Sequence, residues 1–372
     1  MQRALARVNL AAIERNAARL RRELDPRVSL CAVVKANGYG HGAVPAARAA
    51  LAGGASWLAV ATAGEAAELR ASGIGTRLLV MGALSLEELP VALAADADVV
   101  AWDERFVSDV AAAAGGGRVR VHVKLDTGMG RLGTRVMSEA ITAAELVRAE
   151  PSLELAGAMT HFATADEDPE FVSAQLARFE PFVAELRRLQ PGLVVHAANS
   201  AAVLGEPASH FDLVRCGIAL YGLDPMNERA EDRGLEPALE LTSYVAAVKA
   251  AASGDSAGYG RRFVADRETR LATLPIGYAD GVRRAFTNNL DVLIGERRYP
   301  LVGTASMDNI TVDLGPDGSA EREAPATIIG SDGKESQSAE DLAARIATIN
   351  YEIVCGISSR VPRTYHRDGV PA

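Results

Sequence analysis

The sequence predicts an α/β chain: a (β/α)8 TIM-type barrel followed by a smaller, mostly β C-terminal domain. Three observations carry this reading. Eight short apolar runs alternate with amphipathic segments over the first two-thirds of the chain. The alternation breaks in a polar stretch at 223–238 that holds Pro225, Gly234 and Pro237. Beyond it, short β-branched runs separated by Gly and Asp/Asn turns take over. A chain of 372 residues exceeds one ordinary domain and accommodates two. The reading divides it into 1–232, the barrel, and 233–372, the β domain.

The runs read as buried parallel strands are 28–34, 57–61, 77–81, 98–102, 118–125, 153–160, 193–197 and 212–216. Helical stretches fall at 11–24, 43–52, 63–72, 85–95, 103–114, 138–149 and 169–190, with a short one after Ser200. In 169–190, Val172, Leu176, Phe179, Val183 and Leu186 recur at helical spacing, and Pro181 marks a kink. Eight strands with intervening helices close into a barrel; an open doubly wound sheet is the alternative. In the second domain the β runs are 240–249, 270–276, 291–294, 299–303, 309–314, 326–329 and 351–355, with one helix near 338–347.

Composition narrows the function. At 48% hydrophobic and 23% charged, the chain has the balance of a soluble protein with a substantial core. A net charge of -9 argues against a nucleic-acid groove, which needs clustered Lys and Arg. No window approaches the roughly 20 apolar residues of a membrane span, and the opening M-Q-R-A-L-A-R-V-N-L lacks the apolar stretch of a signal peptide. Cys31, Cys216 and Cys355 are an odd, sparse set inside apolar runs, as expected of a reducing compartment. A cytoplasmic location is the expectation. The six histidines lack metal-ligand spacing, so no metal is expected.

A barrel of this kind builds its active site at the C-terminal ends of its strands. Here those ends carry Lys35, Lys124 with Asp126, His161, Asn199 with Ser200, and Arg215. Burying such groups unpaired costs on the order of several kcal/mol. Any one of them alone reads best as an exposed strand end; five strand ends converging on one rim read better as a site. Lys35 ends the apolar run V-S-L-C-A-V-V-K, where a low dielectric lowers an amine's pKa and makes a nucleophile. The turn after it holds Gly38, Gly40 and Gly42, which allow close backbone approach to a ligand, and Tyr39. A dinucleotide fingerprint fits poorly: the spacing is G-x-G-x-G, and the second strand ends without an acidic residue.

The stretch A-V-V-K-A-N-G-Y-G-H-G closely resembles the cofactor-lysine motif of bacterial alanine racemases. In the barrel, V-K-L-D-T-G-M-G-R-L-G (123–133), T-H-F-A-T-A-D (160–166), A-N-S (198–200) and V-R-C-G-I-A-L-Y-G (214–222) resemble that family too. In the second domain so do A-G-Y-G (257–260), P-I-G-Y-A-D-G (275–281), S-M-D-N (306–309) and N-Y-E-I-V-C-G-I-S-S-R-V-P-R (350–363). The motifs run in order over nearly the whole chain. The resemblance implies a cytoplasmic, pyridoxal-phosphate-dependent enzyme that interconverts L- and D-alanine and supplies D-alanine for peptidoglycan.

It also implies roles. Lys35 would carry the cofactor. Arg215 would face the pyridine nitrogen and, as a permanent cation, leave it unprotonated. Gly217 and Ile218 would offer backbone N–H groups to the phosphate. Ser200, Tyr39 and Tyr351 would add hydroxyls, with Asn199 in support. His161 would lie by the ring and orient Arg215. Racemisation needs a base on each face of the substrate Cα: Lys35 on one and Tyr259 on the other, its phenolate stabilised by neighbours. Tyr259 would come from the partner in a head-to-tail homodimer. Arg131 would bind the substrate carboxylate, helped by the backbone N–H of Met307 of the partner subunit. Lys124 resembles a lysine that many members carry as a carbamate; an unmodified Lys124 paired with Asp126 is the alternative. Tyr278, Asp308 and Tyr351 would line a narrow entrance.

Two departures stand out. V-G-T-A precedes S-M-D-N where an arginine is common two residues before the serine, and A-G precedes Tyr259 in place of V-S. Neither removes a chemical group. The alternatives are a broad-specificity or serine racemase on the same scaffold, an amino-acid decarboxylase, a non-catalytic protein that buffers pyridoxal phosphate, and a phosphate-binding sugar enzyme on a barrel. Arg215 argues against a decarboxylase, which would favour an acidic partner for the pyridine nitrogen. The second domain argues against a buffering protein, which would be a lone barrel. The sugar enzyme gives no reason for Lys35 and Arg215 at one rim.

Overall fold

The computed structural model describes residues 2–372. The chain forms two compact units, residues up to Ala12 together with Asn227–Ala372, and Ile13–Met226.

The second of these is the barrel. With β1 kept for the N-terminal strand Leu5–Asn9, its strands are β2 (Ser29–Val33), β3 (Trp57–Val60), β4 (Arg77–Val80), β5 (Asp98–Ala101), β6 (Val119–Lys124), β7 (Leu153–Met159), β8 (Val194–His196) and β9 (Leu213–Cys216). They pair in parallel in the order β8-β7-β6-β5-β4-β3-β2-β9. Asp212 N–H to Val195 O and Arg215 N–H to Ala198 O, both 3.0 Å, join the two ends of that path. The open-sheet alternative is thereby set aside. β3 and β5 are buried at every position, as expected of strands covered on both sides. Helices follow the strands, capped by side chains that the sequence supplies: Thr62 with Glu65 in a capping box, Asp103 on Phe106 N–H, and Asp168 on Phe171 N–H. The helix Pro169–Leu189 runs through Pro181 and buries the expected stripe.

The other unit is mostly β. Its larger sheet runs Arg298–Pro300, Asp291–Leu293, Pro325–Asp332, Leu239–Tyr244, β1, Arg363–Arg367 and Val370–Pro371, with Glu335–Gln337 beside Pro325–Asp332. A three-stranded sheet holds Ala247–Ala251, Thr269–Leu274 and Ile310–Gly315.

Three readings change. The N-terminal residues belong to the β unit: β1 pairs antiparallel with Leu239–Tyr244 and parallel with Arg363–Arg367, burying Ala6 and Val8. Five alternating residues are too short a signal to place a strand so far from its partners in sequence. The later boundary falls at 226/227 in place of 232/233. The run 351–355 lies in the helix Asn350–Cys355, not a strand, because a short apolar run does not distinguish the two. Among the described residues no helix is long and apolar enough to cross a membrane.

Candidate active site

Lys35 stands two residues past the end of β2, at the start of a left-handed turn. Ala36, Asn37 and Tyr39 have φ of 52°, 53° and 52°. Such conformations cost about 1–2 kcal/mol for a residue with a Cβ, and they persist where surroundings fix them, often at functional sites. Here the ties are Glu65 Oε1, which accepts from Ala36 N–H at 2.6 Å, and Asn37 Oδ1, which accepts from Ala43 N–H at 3.0 Å. The turn buries Tyr39 beside the end of β9: a Cβ on Gly217 would lie 2.3 Å from the Tyr39 oxygen.

Arg215 is 3% exposed and projects from β9. Its Nη1 donates to His196 Nδ1 at 2.7 Å. Its Nη2 donates to Thr160 O at 2.9 Å, Ala197 O at 3.0 Å and His161 Nδ1 at 3.2 Å. Every acceptor is neutral. Burial pulls its pKa down to about 10. His161 lies well below the usual imidazole range, first through burial and then through Arg215, Lys124, Arg131 and Lys35. Four cations therefore converge electrostatically on one partly buried ring.

Lys124 ends β6 and is 3% exposed. Burial, Arg215 and Arg131 lower its pKa to about 8 against the pull of Asp126. The ion pair with Asp126, the alternative to a carbamate at Lys124, is absent among the described residues, where Asp126 pairs with Arg135. That carboxylate instead accepts from Gly128 N–H (3.1 Å), Gly130 N–H (3.0 Å) and Arg135 Nε (3.1 Å). These bonds fold the loop after β6 back on itself, where Asp126 N–H reaches Thr134 O at 2.8 Å. Arg131 projects from the loop, exposed.

Ser200 Oγ, buried, accepts from Gly217 N–H at 2.9 Å and Ala219 N–H at 3.5 Å, which leaves its hydroxyl proton to donate elsewhere. Gly217 N–H, read from sequence as a phosphate donor, is thus engaged by Ser200. Asn199 caps the helix Ser200–Gly205 by accepting from Ala202 N–H at 3.0 Å. Ile218 opens a 3-10 turn beyond Gly217.

The remaining predicted residues lie in the β unit. Tyr259 is 76% exposed, between Gly258 and Gly260, both with φ of 72°, and its carbonyl accepts from Thr304 Oγ1 at 2.7 Å. Tyr278 N–H donates to Ser306 O (2.9 Å), and Ala279 N–H to Met307 O (3.1 Å), so these loops form one group. Tyr278 and Met307 are exposed as well. Asp308 pairs with Arg360 at 2.6 Å, and Arg3 donates to its carbonyl at 3.1 Å. Tyr351, half-buried, lies on the helix Asn350–Cys355.

The family model for the N-terminal domain of alanine racemase matches residues 8–225, and that for the C-terminal domain matches 238–365. The chain belongs to the alanine racemase family. An alanine racemase of Nostoc is 39% identical, over 97% of this chain and 95% of the relative. One from Frankia casuarinae is 43% identical, over 90% of this chain and 89% of the relative. The crystal structure of alanine racemase from the D-cycloserine-producing Streptomyces lavendulae superposes with a TM-score of 0.94 at 39% identity, covering 98% of this chain and 97% of that one.

Membership in the alanine racemase family leaves several residues that sequence reading passed over. Gln175, buried on the helix Pro169–Leu189, donates to Thr127 Oγ1 and His161 O, both at 3.1 Å, and accepts from Ala163 N–H at 2.9 Å. It ties the loop after β6 to the loop carrying His161. Asp98, His122 and His196 lie buried within the strands. A signal for one of them was present: in V-R-V-H-V-K every second residue of β6 is polar, which puts Arg120, His122 and Lys124 on one face.

Proposed function

We propose that this protein interconverts L- and D-alanine with pyridoxal phosphate held on Lys35, using Lys35 and Tyr259 as its two bases. The observation that carries the reading is the set of cations at the barrel mouth, above all the buried Arg215 whose acceptors are all neutral. Such a site favours an anionic ligand, and the residues fit this one. The Ser200 hydroxyl and the Tyr39 ring against Gly217 form a tight cradle for a phosphate, with Ile218 and Asn199 in support. Arg215 offers fixed donors for a ring nitrogen. Bound pyridoxal phosphate supplies an electron sink that makes the substrate Cα–H acidic.

The chain's residues then divide the work. The Lys35 amine exchanges a proton with one face of Cα, and the Tyr259 oxygen with the other. Arg131, exposed and unengaged among the described residues, binds the substrate carboxylate. His161 is neutral and holds Arg215 from one side. A neutral, buried Lys124 amine is the form that adds carbon dioxide, and the resulting carbamate would steady Arg131. Tyr259, Tyr278 and Met307 put large side chains in solvent on one group of loops; a second copy of this chain would cover them. In that homodimer Tyr259 and Met307 complete the partner's site, with Tyr278, Asp308 and Tyr351 at the entrance. Cys31 and Cys216, buried thiols, accord with a cytoplasmic setting.

Purified protein with added pyridoxal phosphate should interconvert alanine enantiomers far faster than serine enantiomers. Borohydride should fix the cofactor to the Lys35 peptide. Label on any other lysine, or faster turnover of serine, contradicts the reading.

A further inference from the structure

A line of buried polar groups leads from Arg215 away from the mouth. Arg215 Nη1 donates to His196 Nδ1 at 2.7 Å, His196 Nε2 lies 2.8 Å from His122 Nδ1, and His122 Nε2 lies 3.0 Å from Asp98 Oδ2. Asp98, His122 and His196 have no exposed surface. Asp98 opens β5 and is also held by Arg77 Nε at 3.0 Å and by Arg120 Nε. Arg77 lies over the Trp57 ring at 4.2 Å, and Trp57 meets His122 edge-on.

The proton positions along this line follow from one fact: a guanidinium only donates. His196 Nδ1 must therefore accept, so the ring is neutral and carries its proton on Nε2. That proton points at His122 Nδ1, which must be bare. His122 then carries its proton on Nε2 and donates it to Asp98. Every hydrogen bond runs the same way, from Arg215 to Asp98.

The backbone makes room for the line. β7 lies between β6 and β8, and its Gly157 is paired with His122 on one side and Val194 on the other. A Cβ at Gly157 would lie 2.1 Å from His122 Nδ1 and 2.7 Å from Val194 O. Glycine weakens a strand interior; here it opens the space in which His122 and His196 meet across β7.

We propose that Asp98, His122 and His196 are positioning residues that anchor Arg215 through neutral nitrogens and leave its charge directed at the cofactor ring. The inference rests on the racemase reading above. A carboxylate in direct contact would hold the guanidinium equally firmly but would cancel its charge. Two imidazoles in series place that carboxylate at a distance while keeping a fixed direction of hydrogen bonding. Oriented neutral rings also polarise one another, which strengthens the bond to Arg215.

Two measurements test this. Histidine 15N NMR on the cofactor-free protein should show bare Nδ1 and protonated Nε2 on both His122 and His196. A proton on Nδ1 of either ring overturns the proposal, whatever the enzyme's activity. In the holoenzyme, His122→Phe and Gly157→Ala should each lower kcat about tenfold or more, change KM for alanine by no more than about threefold, and shift the visible absorption of bound pyridoxal phosphate. His122→Gln, which retains one acceptor and one donor, should lose less than His122→Phe. A folded His122→Phe with wild-type kcat and absorption overturns the proposal; if that variant fails to fold, Gly157→Ala and the NMR decide. A wild-type protein that binds the cofactor without racemising alanine defeats the functional reading alone, and the NMR and absorption results still decide the relay.

Discussion

Lys124→Met should stabilise the cofactor-free protein. Lys124 is 3% exposed. Burial first, then Arg215 and Arg131, take its pKa from 10.5 to about 8. That fall corresponds to about 3 kcal/mol of disfavoured charge. Below about pH 8 the amine is charged in both folded and unfolded chains, so the folded state carries the full cost. Between about 8 and 10.5 the unfolded chain binds more protons than the folded one, so stability rises with pH across that window. Methionine keeps most of the side chain's length without the charge. The variant should therefore gain up to about 3 kcal/mol at neutral pH, and the gain should fade as pH rises through the window. Denaturant titrations of both proteins in carbon-dioxide-free buffer at pH 7 and above 10 measure it. Carbon dioxide must be absent because a carbamate would replace the cation with an anion. A variant no more stable than wild type at pH 7, or a gain unchanged by pH, would refute the reasoning.

Gly217→Ala should push Tyr39 out of place, since the new Cβ falls 2.3 Å from its oxygen; overpacking of roughly 1.4 kcal/mol would weaken cofactor binding about tenfold, measured by fluorescence titration. Asp126→Asn should destabilise the protein by about 2 kcal/mol at neutral pH, because burial opposes the carboxylate's charge but Gly130, Gly128 and Arg135 hold it below the usual range. That contribution is present above the ordinary carboxylate pKa and is lost as pH falls through the lowered one. Wild type and variant should therefore converge in strong acid, and a difference that persists there counts against the assignment.

The barrel was legible because most of its strands are short, largely buried apolar runs with amphipathic segments between them. Observed strands lie within one or two residues of those read from sequence. β1 escaped because its partners are Leu239–Tyr244 and Arg363–Arg367, pairings that no local pattern announces. The candidate site was legible at the strand ends, where Lys35, Lys124 and Arg215 interrupt apolar runs. What stayed hidden were partners inside the barrel. Asp98 and His196 each read locally as the end of a strand, and only the register that brings them to His122 gives them meaning. The absence of a Lys124–Asp126 pair was equally invisible, because the glycines of the loop after β6 turn its N–H groups onto Asp126.

Lys35 and Tyr259 belong to different compact units of the chain, and in the proposed homodimer two chains combine them in one site. Lys35→Ala and Tyr259→Ala should each lose ~100- to 10,000-fold in rate, as expected for a positioned acid-base group. Under the proposed homodimer, unfolding and refolding the two variants together in equal amounts should form mixed dimers. In such a dimer one barrel has its own intact Lys35 and receives intact Tyr259 from its partner; the other has neither. Random pairing makes half the dimers mixed, each with one working site of two, so the mixture should regain about a quarter of wild-type activity. If Tyr259 served its own chain, every site would lack one base. A mixture that forms heterodimers yet stays as inactive as its parents would contradict the shared site.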